Sequence, residues 1–326
     1  MKSKSVFWLL ITVLLITFSS TDAQEPKKLS RLGILTFNLS RADENFISFF
    51  QELRRLGWIE GQSIAFEFRT AEGSTDRLSR LAAELVQLKV DAILASATPP
   101  ALAAQKATST IPIVFSLVAD PVGSGLVATL AQPGANITGV SNVNTDLAGK
   151  RLELLKETFP VLSRVAVLSN PADRISASQL KEVELAARSL GLQLQLYEAR
   201  DRKDIDELTS AWAKARPAAL YVLTSQMFLG ERKKVIEVIT KARLPAMFWA
   251  AGFVDSGGLM SYGTNVAELN RRAATYVDKI LKGTKPADLP VEQPKKFEFI
   301  INLKAAKQIG LTIPPNVLAR ADRVIR

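Results

Sequence analysis

The sequence predicts an α/β protein of two similar lobes, each with a parallel β-sheet covered by helices. Two observations support this prediction. Strand-like apolar segments alternate with amphipathic helical segments after residue 29, and the series restarts near residue 164. Such alternation implies right-handed crossovers and a sheet covered on both faces. The roughly 300 residues beyond the N-terminal segment also fit two domains.

The individual elements follow from hydrophobic spacing. Phe46, Phe49, Phe50 and Leu53, for example, recur on one helical face before Gly57 ends the helix. In the first half we predict strands at 31–37, 64–68, 92–95 and 113–118, and helices over 46–56, 78–88 and 100–108. In the second half we predict strands at 164–170, 192–197, 220–223 and 246–249, and helices over 179–190, 205–215 and 231–242.

The remaining tail does not continue a simple tandem. It offers a strand at 259–262, a helix over 266–281, a Lys/Pro-rich link at 282–296 and a strand at 297–301. A return of the chain to the first lobe near residue 250 would place several connections between the lobes, and such a hinge allows closure. The predicted lobes are residues 29–140 plus 250–282, and 141–249 plus 283–326.

The first residues predict export. Lys2 and Lys4 precede an apolar run of about thirteen residues, within the 7–15 of a signal-peptide core. A membrane anchor would need about 20 apolar residues. Thr21-Asp22-Ala23 supplies small residues at a cleavage site, and no cysteine follows for lipid attachment. We therefore expect a signal peptide over 1–23, cleaved near Ala23, and a periplasmic protein that is not a lipoprotein.

Composition argues against most chemistry. The chain has no cysteine and no histidine, which removes disulfides, thiolate metal sites and the commonest general base. The formal net charge is +10, but the basic residues are scattered along the sequence, which favours a solvated surface over a nucleic-acid site. We predict neither catalysis nor a metal or cofactor.

One nucleotide-binding pattern remains as an alternative. Residues 123–128 fit Gly-x-Gly-x-x-Gly/Ala, and Asp146 follows about 20 residues later, as in a dinucleotide fingerprint. That fingerprint belongs after the first strand, whereas here it follows the fourth. A secreted nucleotide-dependent oxidoreductase is therefore the weaker interpretation.

Polar residues at strand ends indicate a ligand site, because ligands of open parallel sheets bind outside the carboxyl ends of the strands. Each of these residues could instead cap the following helix. Ser96 and Thr98 stand out, since hydroxyls and amides at a helix start can hold an anion such as a carboxylate. The candidates in the two halves are Thr36, Asn38, Ser96, Ala97, Thr98, Asp120, Asn170, Thr224 and Ser225.

Several ordered stretches resemble one family, the periplasmic substrate-binding proteins of ABC transporters that include tryptophan- and phenylalanine-binding members. They are LRRLGWIEGQSIAFEFRTAEG (53–73), IPIVFSLVADPVGSGLVATLAQPGANITGV (111–140), GKRLELLKETFP (149–160), GGLMSYG (257–263) and INLKAAKQIGLTIPPNVLARADRVI (301–325). The resemblance spans nearly all of the chain after the signal. It implies the type I periplasmic-binding-protein fold, with two Rossmann-like lobes joined by three crossovers.

The resemblance also assigns walls to the expected cleft. The loops at 96–98 and at Asp120 would line the first lobe, Asn170 and 224–225 the second, and Trp249 to Phe253 would lie near the third crossover. Family members that bind amino acids tend to place an acid near that crossover, whereas the first acid here is Asp255. This departure argues against an α-amino acid ligand.

The implied function is uptake without chemistry. A monomeric receptor would capture a small carboxylate-bearing ligand, aromatic or amino-acid-like, and deliver it to the permease and ATPase subunits of an ABC transporter. A periplasmic sensor that reports to a receptor is the open alternative.

Overall fold

The fold was analysed in a computed structural model that describes residues 29–43, 46–173 and 175–326. The predicted signal peptide lies outside these residues. Among the helices described, none has the length and apolar character needed to cross a membrane.

The first lobe is a five-stranded parallel sheet. Its strands are β1 (Ser30–Thr36), β2 (Ile64–Thr70), β3 (Ala92–Ser96), β4 (Ile113–Val118) and β5 (Ile137–Ser141). Their spatial order is β2-β1-β3-β4-β5. The helices of this part of the chain are α1 (Ile47–Arg55), α2 (Thr75–Gln87) and α3 (Thr98–Ala107).

The second lobe is a seven-stranded sheet. Its strands are β6 (Arg164–Ser169), β7 (Gln193–Glu198), β8 (Ala219–Val222), β9 (Ala246–Phe248), β10 (Met260–Thr264), β11 (Phe297–Asn302) and β12 (Arg323–Ile325). Their order is β12-β11-β10-β9-β8-β6-β7, and only the β10–β11 pair of this sheet is antiparallel in the described residues. The two-lobe α/β fold predicted from the sequence is confirmed.

The remaining helices cover both faces of the two sheets. They are α4 (Ala148–Thr158), α5 (Ser176–Leu190), α6 (Arg202–Ala215), α7 (Gln226–Gly230), α8 (Arg232–Lys241), α9 (Ala251–Asp255), α10 (Val266–Leu281), α11 (Leu303–Gln308) and α12 (Pro315–Leu318), with a 3₁₀ turn at Pro286–Asp288.

The connection between β4 and β5 contains no helix in the structure. Turns occupy 121–125, and Gly125 has φ +76°, which glycine adopts without strain. Helix α10 packs on the face of this sheet that α1 also covers, where its residues Leu269, Ala273 and Val277 join the core. A segment late in the chain therefore completes the first lobe.

Three segments join the lobes. The first crossover is 142–147, between β5 and α4; the second is at Asn265, between β10 and α10; the third runs from Glu292 to β11. The predicted return at residue 250 is wrong for α9 and β10, because β10 pairs with β9 and β11 in the second sheet. The predicted departure at 283 is also early, since Glu292 still bonds to Gly139 of the first sheet.

Candidate functional site

A cavity of about 310 Å³ lies between the lobes. It sits at the carboxyl ends of the central strands of both sheets, where the open-sheet rule places ligands. Its volume is near the lower end of the usual range for small-molecule sites, roughly 300–1,000 Å³. A site of this size suits one small molecule.

The first lobe supplies a mostly apolar wall. Phe37 follows β1, Leu78 lies on α2, Leu102 and Ala103 lie on α3, and Leu117 lies on β4. Helices α2 and α3 present these side chains from successive turns, so the wall extends along the helix axes. It can receive the apolar part of a ligand.

The second lobe supplies a polar wall. Its lining side chains include Asn170 and Asp173 after β6, Arg200 after β7, and Thr224 and Ser225 after β8. The loops hold one another: Asn170 Nδ2 lies 3.5 Å from Ser225 Oγ, and Thr224 N–H donates to Gln179 Oε1 at 2.9 Å. The wall is therefore formed before any ligand binds.

Two polar atoms of this wall lack partners. Asp173 Oδ2 and Thr224 Oγ1 are buried and have no hydrogen-bond partner among the described residues. Buried polar atoms are nearly always paired, so unpaired ones beside a cavity indicate where a ligand could bond. An acceptor at Asp173 suits a cationic donor such as an ammonium.

Burial raises the pKa of the Asp173 carboxyl above its usual value, and a hydrogen bond with Ser225 opposes this rise. Desolvation disfavours the charged form of an acid. A cationic ligand would favour the charged carboxylate and so oppose this rise in the pKa of Asp173.

The start of α3 differs from the predicted anion cradle. Thr98 lines the cavity, whereas Ser96 and Ala97 do not. The next two residues, Pro99 and Pro100, have no N–H group. The first turn can offer the Thr98 hydroxyl and amide, but not the row of amides on which the predicted carboxylate site depended.

Three other predicted residues form hydrogen bonds within the protein. Thr36 is fully buried and its hydroxyl donates to the Leu39 carbonyl at 2.6 Å. Asn38 Nδ2 donates across the cleft to the carbonyl of Gln226 at 2.6 Å. Asp120 Oδ1 accepts from Gly123 N at 2.7 Å, which stabilises a turn. None of the three lines the main cavity.

The same turn removes the basis of the nucleotide alternative. The fingerprint glycines need a helix that starts at the loop and directs its amides at a pyrophosphate. Residues 121–125 form turns, and no helix follows before β5.

The predicted aromatic contacts lie elsewhere. Phe253 is fully buried and stacks on Phe248, with ring centroids 4.6 Å apart. Trp249 lines a separate cavity of about 50 Å³ near the first and second crossovers. Asp255 pairs with Arg323 at 2.7 Å on the surface. Among the described residues that line the main cavity, Asp173 is the acidic one.

Sequence reasoning missed Asp173, Arg200 and Phe37. Asp173 and Phe37 stand within three residues of predicted site positions, so closeness to a strand end was the available signal. Arg200 lies two residues beyond the end of the edge strand β7. Loop conformation decides which of these side chains point into the cleft.

Comparison with known proteins gives a family. The family model described as "ABC transporter substrate binding protein" matches residues 42–325. A "Tyrosine-binding protein" of Clostridioides difficile (strain R20291) is 27% identical over 292 residues, covering 89% of this chain and 83% of the relative.

Two solved structures are similar to this chain at equal identity. An ABC domain from Streptococcus pneumonia in complex with L-Trp is 27% identical, with a TM-score of 0.84, and covers 91% of this chain and 100% of that one. The ligand-free, open structure of CD0873 from Clostridium difficile is also 27% identical, with a TM-score of 0.66 over 91% and 99% of the chains.

The overall similarity is higher to the ligand-bound relative than to the open one. In this structure the two lobes contact each other across the cleft through the bond from Asn38 to Gln226. Two lobes, three crossovers and an interlobe cavity accompany a family match over most of the sequence. The chain belongs to the family of ABC transporter substrate-binding proteins.

Proposed function

We propose that this protein captures a free amino acid with a large apolar side chain, tyrosine or tryptophan being the foremost candidates, and delivers it to a membrane transporter. The observation that carries the proposal is the unpaired Asp173 Oδ2 beside a cavity whose opposite wall is apolar. The ligands named for two relatives, tyrosine and L-Trp, support the same class.

Each wall contacts a different part of the ligand. The ammonium group lies at Asp173, and the apolar side chain lies against Leu78 and Leu102 of the first lobe. The carboxylate lies toward Thr98 and Arg200, two lining residues that can donate to it. Each lobe alone holds half of the molecule, so tight binding requires closure.

Calorimetric titration of the purified protein with L-tryptophan and L-tyrosine tests this function. A micromolar dissociation constant corresponds to about −8 kcal/mol. We expect indole-3-propionate, which lacks the ammonium, and tryptamine, which lacks the carboxylate, to bind far more weakly than L-tryptophan. Binding of indole-3-propionate as tight as that of L-tryptophan would reject Asp173 as the ammonium partner. Failure of every amino acid to bind would reject the ligand class.

We also propose that the protein works as an exported monomer without catalytic activity. The basic start, the short apolar run and the site at Thr21-Asp22-Ala23 support removal of residues 1–23. Intact-mass measurement on periplasmic extract should give a chain that begins at Gln24, and an uncleaved membrane-bound chain would contradict this.

A further inference from the structure

A buried guanidinium lies where the lobes join. Arg151, in the first turn of α4, is 1% exposed. It donates from Nε to the Tyr262 carbonyl at 2.6 Å, from Nη1 to the Asn144 carbonyl at 2.9 Å, and from Nη2 to Asn144 Oδ1 at 2.5 Å. No carboxylate of the described residues forms an ion pair with it.

Stability alone does not explain this residue. Removing a cation from water is costly, and an apolar side chain of similar volume is often as stable or more so at such a position. Burial lowers the pKa of the Arg151 guanidinium, which reflects that cost. The guanidinium instead donates to three acceptors, which lie in two separate segments of the protein.

These acceptors belong to the hinge. Asn144 lies in the first crossover, and Tyr262 lies in β10, which leads directly into the second crossover. Arg151 therefore ties both crossovers to α4 of the second lobe. The planar guanidinium fork suits this task, because it presents donors in several fixed directions.

The hydrogen-bonded chain continues to the ligand cavity. Asn144 N donates to Asn142 Oδ1 at 3.2 Å, and Asn142 Nδ2 donates to the Leu117 carbonyl at 3.1 Å. Leu117 lines both the main cavity and the smaller one, at a register irregularity of β4.

Two residues beside this hydrogen-bonded network have positive φ angles. Leu117 has φ +59° and Val143 has φ +45°, a strained conformation for residues other than glycine. Such conformations persist where surrounding contacts impose them. The hydrogen bonds of Leu117 connect it through Asn142 and Asn144 to Arg151.

We propose that Arg151 is a positioning residue for ligand binding. It holds the first two crossovers in the geometry of the closed molecule and, through Asn144 and Asn142, holds Leu117 against the ligand. This inference rests on the proposed function but concerns a residue that does not touch the ligand. It also gives a role to the GKRLELLKETFP stretch, which contains Arg151.

Hydrogen exchange on the ligand-free protein tests the positioning role without any ligand. Arg151→Met and the more conservative Arg151→Lys are compared with Leu152→Ala, which removes a neighbouring buried side chain from the second-lobe core. We expect the Arg151 variants to exchange about tenfold faster at residues 116–118 and 141–145, as expected for local opening. In Leu152→Ala, exchange should become faster in the second-lobe core but stay slow at residues 116–118 and 141–145. Equal patterns in all three variants would overturn the proposal.

Binding of L-tryptophan, followed by stopped-flow fluorescence, is the second measurement. Arg151→Met should weaken affinity about tenfold, the order expected for losing charged hydrogen bonds, and mainly through faster dissociation. Leu152→Ala should stay within about twofold. Equal weakening by both variants would overturn the proposal. If the unmodified protein binds neither L-tryptophan nor L-tyrosine, the proposed function fails, and the exchange measurement still decides the role of Arg151.

Discussion

Asp173 lines the cavity, and its Oδ2 has no donor among the described residues, two properties that a stabilising surface carboxylate does not combine. Its neighbours are held for it: Asn170 Oδ1 accepts from Ala172 N at 3.0 Å, and Ser176 Oγ donates to the Asn170 carbonyl at 2.7 Å. The loop is thus fixed while one carboxyl oxygen stays available.

Replacing Asp173 by Asn should weaken binding of L-tryptophan by about 1.5–3 kcal/mol, since a charged hydrogen bond to the ammonium is lost. The melting temperature of the ligand-free protein should not fall, because an unpaired, partly desolvated charge is removed. Calorimetry and thermal unfolding measure the two effects. Asp120→Asn, on the exposed turn of the first lobe, is the control, and an equal loss of affinity there would contradict the assignment.

The pH dependence of the same group should have opposite signs for stability and for binding. The pKa of Asp173 is raised in the folded protein by burial, so the stability it contributes is present below its unfolded value and is lost as pH rises through the folded value. Affinity for an ammonium needs the charged carboxylate and should fall as pH falls through the same region. Titrations of L-tryptophan into the wild type and into Asp173→Asn over mildly acid pH check this. If the affinity of the variant depends on pH in the same way as that of the wild type, the prediction is wrong.

At the scale of elements, the start of α3 differs from the anion site that the sequence predicted. Its first turn contains Thr98, Pro99 and Pro100, so the prolines set the helix direction but remove two amides from the ligand. Any contribution of this helix to binding therefore depends on Thr98.

Thr98→Ala should lower the affinity for L-tryptophan by about 1.5–3 kcal/mol, because the lost hydroxyl is proposed to donate to the charged carboxylate of the ligand. Ser96→Ala, two residues earlier on β3 and outside the cavity lining, should leave the affinity unchanged. Titration of both variants beside their melting curves distinguishes binding from packing. The reverse order of effects would place the ligand closer to β3 than proposed.

Periodicity predicted the elements whose apolar residues repeat on one face. Helix α1 is confirmed, because Phe46, Phe49 and Leu53 are all buried at the predicted spacing. Helix α4 was not predicted: its burial pattern includes Arg151, a polar residue that no hydrophobic pattern would place inside.

The candidate site was only partly predictable, because proximity to a strand end does not give the direction of a side chain. Thr98, Asn170, Thr224 and Ser225 line the cavity. Phe253, five residues beyond the end of β9, turns into the core instead because α9 folds it onto Phe248. Loop conformation and long-range packing decide between these outcomes.

At the scale of the whole molecule, the β1–α1 loop lies against α7 across the cleft. Asn38 bonds to Gln226, and a Cβ atom added at Gly230 would lie 2.0 Å from Asn38 Nδ2. A side chain at position 230 would therefore displace the Asn38 side chain from this contact between the lobes.

Gly230→Leu should hinder closure without harming the second lobe, since φ at this position is not in the left-handed region. We expect weaker binding of L-tryptophan and a radius of gyration that does not shrink at saturation, as measured by small-angle scattering. Gly149→Ala is the control, because its added Cβ would make an ordinary 3.5 Å contact with Ala186. Full compaction of the Gly230 variant would show that this contact does not limit closure.

The late arrival of α10 has a consequence for synthesis. One face of the first sheet, which includes Leu32 and Ile34, is covered partly by α1 and partly by α10, a helix that ends only at Leu281. While the chain emerges from the ribosome, its N-terminal third has no complete core to fold around, although N-terminal domains generally fold first during translation. This delay favours a chain that must cross a membrane unfolded, as proposed here. The order of its segments postpones folding of the first lobe until most of the chain has been made.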